Sequence, residues 1–145
     1  MPTTHNSLIK KLGFTPKENS ADIFHKKYAN NYFIEIDFDN EKINYGALIS
    51  ADKKTTQNFS QAENWVVLEC VNRLLEKGYS PNNMVLEKTW ATGHGTSARL
   101  DVLVNRDDGS AYLMIECKTY GAEFDKEFNK LKKDGGQLFT YFQQD

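Results

Sequence analysis

One hairpin-forming stretch brings together two acidic residues and a lysine that could bind a metal ion. The dipeptide Asp108-Gly109 lies between two runs rich in Val, Leu and Ile, a pattern typical of a tight turn between antiparallel strands. With these two residues as the turn, Asp101 lies opposite Glu116. Directly opposed residues share a sheet face with Cβ atoms about 4.5–5.5 Å apart, and Lys118 projects from that same face.

The other face of the predicted hairpin supports this register, which also places Asp107 opposite Ser110. Three cross-strand pairs on that face are apolar, as burial requires: Leu100 with Cys117, Val102 with Ile115, and Val104 with Leu113. A slip of one residue would turn Asp101, Glu116 and Lys118 into the apolar face.

Two neighbouring carboxylates repel each other, so a purely structural hairpin has little reason to keep them side by side. A divalent cation between them makes the arrangement favourable, and Mg²⁺ binds through one or two carboxylates plus water and phosphate oxygens. A lysine beside such a cation can orient the attacking water or stabilise developing charge. The simpler interpretation is a carboxylate–lysine ion pair on an exposed sheet face.

The order of these residues resembles a known family. Asp101, followed by Glu116-Cys117-Lys118 at the end of the next strand, resembles the core of the PD-(D/E)XK nuclease superfamily. Residues 61–79 are similar to the first helix of the nuclease domain in restriction enzymes. Gln137 and Tyr141 match the Gln-x-x-x-Tyr pattern of the restriction and recombination branch. The surrounding Gly-Gly-Gln-Leu-Phe stretch is similar to the amino-terminal regions of proteins in which a nuclease domain precedes a DNA adenine methylase.

The resemblance implies a restriction-modification endonuclease that hydrolyses DNA with Mg²⁺ or Mn²⁺. The metal ligands that it implies are Asp101, Glu116, the carbonyl oxygen of Cys117 and Glu63. Lys118 would position the attacking water, and Gln137 and Tyr141 would support Lys118 and contact the DNA strand. Two further residues, His94 in a glycine-rich loop and Arg99, are candidate DNA contacts, although the loop matches no phosphate-binding fingerprint.

Glu63 has two competing interpretations. It lies three residues after Ser60, the spacing of a capping box at the start of a helix. It also heads the apolar stripe of Val67, Cys70 and Leu74, and in the related restriction enzymes a glutamate on this helix contributes to the active site. Glu69 is better explained as a surface partner of Arg73 one turn later.

Gln137 and Tyr141 also have an ordinary alternative, because residues 124–143 form an amphipathic helical pattern that would pack on a sheet. In the first half of the chain, the sequence predicts a short helix over 7–12, a hairpin of strand 32–38 with strand 42–45, and a polar loop over 51–58. A helix from Ser60 to about Lys77 follows and ends at Gly78, and a strand over 84–88 comes next.

These elements predict an α/β fold with a restriction-endonuclease-like core. The core would run helix, three-stranded mostly antiparallel meander, helix and final strand, over residues 58–145, behind an N-terminal extension of residues 1–57 with a small β-hairpin. Leu100 replaces the proline that often precedes the first acidic residue. Because the family's final strand has no counterpart before Asp145, we expect the chain to be a fragment of a longer protein.

Composition agrees with a cytoplasmic globular module. The chain has 145 residues, 39% of them hydrophobic, and no apolar run long enough to span a membrane. Cys70 and Cys117 lack disulfide or zinc spacing and are predicted to be reduced thiols. A net charge of −2 is low for a free-standing DNA binder, so we expect DNA affinity from a local patch or from methylase or helicase domains of the same protein or complex.

The sequence thus predicts a Mg²⁺-dependent endonuclease domain acting on DNA. One alternative is an inactive relative that keeps the fold for DNA binding or scaffolding. The other is a protein-interaction domain whose working surface lies in the first 50 residues.

Overall fold

The computed structural model describes residues 3–91 and 97–118. They form two compact units. The first comprises the chain up to Ile49 together with Thr55–Pro81, and the second comprises Ser50–Lys54 together with the described residues from Asn82 onward. The long helix of the chain belongs to the first unit, and the predicted domain boundary near residue 58 stays a prediction.

The first unit contains one antiparallel sheet and two helices. Its strands, in sheet order, are β1 (Thr15–Pro16), β2 (Ile23–Tyr28), β3 (Tyr32–Asp37) and β4 (Lys42–Asn44), and its helices are α1 (Thr3–Lys11) and α2 (Glu63–Glu76). The predicted pairing of β3 with β4 is confirmed, with Ile36 opposite Ile43. Alternation explains β3, since Tyr32, Ile34 and Ile36 are buried while the residues between them are not.

β1 and β2 were not predicted, so the expected hairpin is in fact part of a four-stranded sheet. The strand β2 was missed because Lys26, between buried Phe24 and Tyr28, interrupts its apolar alternation. Its ammonium group donates to the Leu12 carbonyl oxygen and to Asn72 Oδ1 (2.8 Å). A polar residue at an inward position is thus satisfied by the carbonyl just after α1 and by a side chain of α2.

The long helix α2 begins differently from the predicted capping-box helix but ends where predicted. The expected capping box is wrong: Ala62 occupies the N-cap without a side-chain cap bond, and the Ser60 hydroxyl donates to Asn58 Oδ1 (2.6 Å) instead. The predicted end at Gly78 is confirmed. Gly78 has φ +99°, and Tyr79 N–H donates to the Leu74 carbonyl, as in a Schellman motif.

The second unit is built on a four-stranded mixed sheet. In sheet order its strands are β5 (Ser50–Ala51), β6 (Met84–Ala91), β7 (Ser97–Asn105) and β8 (Ala111–Ile115). β5 is parallel to β6, and the other neighbours are antiparallel. The expected meander is present as β6, β7 and β8. The strand β5 covers Ser50–Ala51, and its second residue lies in the stretch 51–58 that was predicted to be a loop. The protein is therefore of mixed α/β class.

The predicted helix over 124–143 lies outside the described residues, so the restriction-endonuclease-like order of elements stays a prediction. Within the described ranges, neither helix is long and apolar enough to cross a lipid bilayer.

Candidate functional site

The β7–β8 hairpin has the predicted register along its strands but a different turn. Val102 pairs with Ile115 and Val104 with Leu113, as expected. The placement of Asp107 opposite Ser110 is wrong, because Arg106 pairs with Ser110 instead through an N–H to carbonyl bond of 2.7 Å. The loop therefore has three residues and ends at Gly109 (φ +91°), and a bulge between Val104 and Asn105 restores the register.

Asp101 lies in the middle of β7 and is only 6% exposed. Its Oδ2 accepts a hydrogen bond from the backbone N–H of Cys117 (2.8 Å). Since Val102 pairs with Ile115, the next residues along both strands place Glu116 opposite Asp101, as predicted. Cys117, opposite Leu100 by the same count, is buried as expected.

The proximity of the two acids changes the protonation of Glu116. Burial raises the pKa of Glu116 to about 9, assisted by a hydrogen bond with Asp101 and by the Asp101 charge, while Lys118 and Arg99 oppose the rise. Glu116 is therefore protonated at neutral pH and shares its proton with Asp101. Its Oε2 atom is buried and has no hydrogen-bond partner among the described residues.

A third acidic residue, Glu87 on β6, was not among the predicted site residues. Its side chain is fully buried. The pairs Leu86–Val102 and Lys88–Leu100 on either side place Glu87 opposite Asp101 by count. Glu87 itself has φ +53°, a left-handed conformation that is uncommon for a non-glycine residue within a strand.

Glu87, Asp101 and Glu116 thus lie in one row across three adjacent chain segments, and we call them the carboxylate row. The sequence carries only a weak signal for Glu87, which directly follows the apolar run Met84-Val85-Leu86 and precedes Lys88. Its alignment with Asp101 depends on the register between β6 and β7.

Arg99 supplies positive charge to two members of the carboxylate row. Its Nη1 lies 3.4 Å from Glu87 Oε1, and its Nη2 lies 3.8 Å from Asp101 Oδ1. The side chain of Arg99 is 49% exposed, so the guanidinium closes the row toward solvent. These ion pairs do not test the predicted role of Arg99 as a DNA contact.

A bound cation would give the buried Glu116 oxygen a partner and would take the place of the proton that Glu116 shares with Asp101. Asp101 and Glu116 fit a metal that completes its coordination shell with water and substrate oxygens, as Mg²⁺ does. They do not form an all-protein cage, since residues 3–91 and 97–118 include no group of three or more His, Cys, Asp or Glu side chains placed to hold a metal ion.

The remaining predicted residues are divided between the two units and the undescribed segments. Glu63 is the first residue of α2 in the first unit and is half-buried. Lys118 is half-buried at the end of the second described range, and its charge acts on Glu116. His94, Gln137 and Tyr141 lie outside the described residues.

Comparison with known proteins adds no assignment. No family model matches the chain, and no curated protein matches it either.

Proposed function

We propose that this chain is a metal-dependent endonuclease domain of the PD-(D/E)XK type, which hydrolyses DNA phosphodiester bonds within a restriction-modification system. The observation that carries the proposal is the opposition of Asp101 and Glu116, with a buried Glu116 oxygen that has no described partner. A buried acid pair is costly without compensation, and a divalent cation is the compensation that such a pair favours.

The roles of the individual residues follow from the resemblance and from their position. Asp101, Glu116 and the carbonyl oxygen of Cys117 would hold Mg²⁺ or Mn²⁺. The bound cation would supply an activated water and offset charge on the scissile phosphate. Lys118, whose charge already acts on Glu116, would orient the nucleophile.

The wider context of the domain is part of the same proposal. β6, β7 and β8 would be the meander of a restriction-endonuclease-like core, followed by a helix that carries Gln137 and Tyr141 to Lys118 and the DNA. Methylase or helicase domains of the same protein or complex would select the target, with His94 and Arg99 as additional DNA contacts. The cytoplasm, where such systems act on DNA, would be its location.

A second candidate function is an inactive domain that keeps this fold for DNA binding or protein interaction. The specific observation in its favour is that the row is already compensated without a cation. Arg99 is paired with both Glu87 and Asp101, and Glu116 is protonated.

Metal titration by calorimetry separates the two candidates. The 145-residue chain should bind Mg²⁺ or Mn²⁺ at one site, and Asp101→Asn should abolish that binding. Asp107→Asn is the matched control, because Asp107 is an exposed acid of the same hairpin that accepts a hydrogen bond from Asn83. A wild-type chain that binds neither cation, or an undiminished isotherm in Asp101→Asn, would favour the inactive domain.

Catalysis is tested separately with Lys118→Ala. This variant should still bind the cation, because the carboxylates remain. It should cleave plasmid DNA at about one hundredth of the wild-type rate or more slowly. Equal cleavage by Lys118→Ala and the wild type would remove Lys118 from the mechanism.

A further inference from the structure

We propose that Glu87 is a positioning residue that draws Arg99 away from Asp101 and so keeps the Asp101 carboxylate available to a divalent cation. This inference rests on the proposed function and deepens it, because it assigns a role to a residue outside the Asp101 and Glu116-x-Lys118 pattern.

The cost of Glu87 indicates that it does more than fill space. A carboxylate without solvent exposure loses its hydration, and a left-handed backbone conformation within a strand is strained for a non-glycine residue. Apolar residues of similar volume often replace a buried ion pair without loss of stability. Strain and buried charge together, at the residue opposite Asp101, point to a functional constraint.

The geometry shows how Glu87 acts on Arg99. Residues 99 and 101 are two apart on β7, so their side chains leave the same face of the strand. The guanidinium nevertheless lies closer to Glu87 (3.4 Å) than to Asp101 (3.8 Å). One arginine is therefore shared between two acids, and the nearer one lies on the neighbouring strand.

Removing the Glu87 charge would change that balance. Without the Glu87 charge to hold it, Arg99 would close on Asp101 from its present 3.8 Å, since carboxylates readily form short two-pronged contacts with guanidinium groups. Asp101 would then be occupied by a fixed cation, and a divalent metal would have to displace it. Shortening one charge contact by about 1 Å at an effective dielectric of ~20 corresponds to about tenfold in affinity.

The test is a charge-removal cycle followed by calorimetric titration with Mg²⁺ or Mn²⁺. Glu87→Gln should weaken cation binding about tenfold. The double variant Glu87→Gln with Arg99→Gln should return to within about twofold of the wild type, because the competing guanidinium is gone. Glu69→Gln, which breaks the Glu69–Arg73 pair on α2, is the matched control and should bind as the wild type does.

Each outcome of the cycle decides one point. A double variant that binds as weakly as Glu87→Gln would overturn the inference, because a structural role of Glu87 is not rescued by removing Arg99. Unchanged binding in Glu87→Gln would also overturn it and leave the proposed function intact, whereas a wild type that binds no cation removes both. If Glu87→Gln fails to fold, Arg99→Gln alone should bind the cation more tightly than wild type, and weaker binding would refute the inference.

Discussion

The backbone N–H of Cys117 donates a 2.8 Å hydrogen bond to Oδ2 of Asp101. This bond extends the contact between the two segments beyond Ile115, where β8 ends. It also holds the buried Asp101 carboxylate in one orientation, beside Glu116. The acid pair is therefore positioned by the backbone of the hairpin.

The stability of the metal-free protein should fall as pH rises from about 4.5 to about 9. Glu116 has an ordinary pKa of 4.5 when unfolded and about 9 when folded, so only the folded state holds its proton in that window. Unfolding then releases a proton, and rising pH favours the unfolded chain. The stabilising effect is complete below pH 4.5 and is lost as pH passes 9. Urea unfolding midpoints at pH 5, 7 and 9 measure it.

Glu116→Gln is the control for this dependence. The amide stays neutral at every pH, so the difference in unfolding free energy between this variant and the wild type should change steadily across the window. A difference that is independent of pH would show that Glu116 keeps an ordinary pKa.

Binding of Mg²⁺ near neutral pH should release about one proton per site, because Glu116 must ionise before it can act as a ligand. Calorimetry at pH 7 in two buffers of different ionisation enthalpy gives the number of protons. At pH 9 the release should fall to about half, since Glu116 is then half ionised. Binding without proton release at pH 7 would exclude Glu116 as a ligand.

Asn72→Leu should destabilise the first unit by about 1–3 kcal/mol. Asn72 is 2% exposed and accepts hydrogen bonds from the Tyr28 hydroxyl (2.6 Å) and the Lys26 ammonium (2.8 Å). Leucine keeps the branched shape of the side chain but leaves the Tyr28 hydroxyl buried without this acceptor. Burial and the charge of Glu76 raise the pKa of Tyr28, so the hydroxyl remains a donor.

Chemical denaturation measures this loss, and Tyr28→Phe supplies its control. In the Tyr28→Phe background the cost of Asn72→Leu should be smaller by about 1 kcal/mol, because the orphaned donor is absent. Equal costs in both backgrounds would mean that the Tyr28–Asn72 bond contributes nothing to stability.

Gly46→Ala should cost more stability than Gly78→Ala. Both glycines have positive φ, +83° and +99°, so each alanine substitution introduces roughly 1–2 kcal/mol of backbone strain. At Gly46 the new methyl group would also lie 2.5 Å from the Tyr32 hydroxyl oxygen, which is already held by its bond to the Tyr45 carbonyl. We expect an additional cost of roughly 1–3 kcal/mol in thermal or urea unfolding.

Gly78 is the informative comparison, because no described atom lies within 4 Å of its added methyl group. Equal losses for the two variants would show that Tyr32 moves away without cost.

Local sequence patterns predicted the parts of the fold that depend on neighbouring residues. Apolar alternation aligned Val102 with Ile115, and hence Asp101 with Glu116, although the two-residue turn predicted at Asp108-Gly109 was wrong and a bulge restores the register. The same patterns missed β2, where an inward lysine is satisfied by partners remote in sequence, and misplaced the start of α2, where Ser60 bonds to Asn58.

The sequence by itself therefore determined the acid pair of the hairpin and the lysine after it. The tertiary structure decided that Glu87 joins the row, that it is fully buried, and that Arg99 is shared between two carboxylates. The physical reason is that hairpin register is set by residues close along the chain. The burial and charge pairing of Glu87 depend instead on the register between β6 and β7, which no Asp-Gly dipeptide specifies and which the assembled sheet fixes.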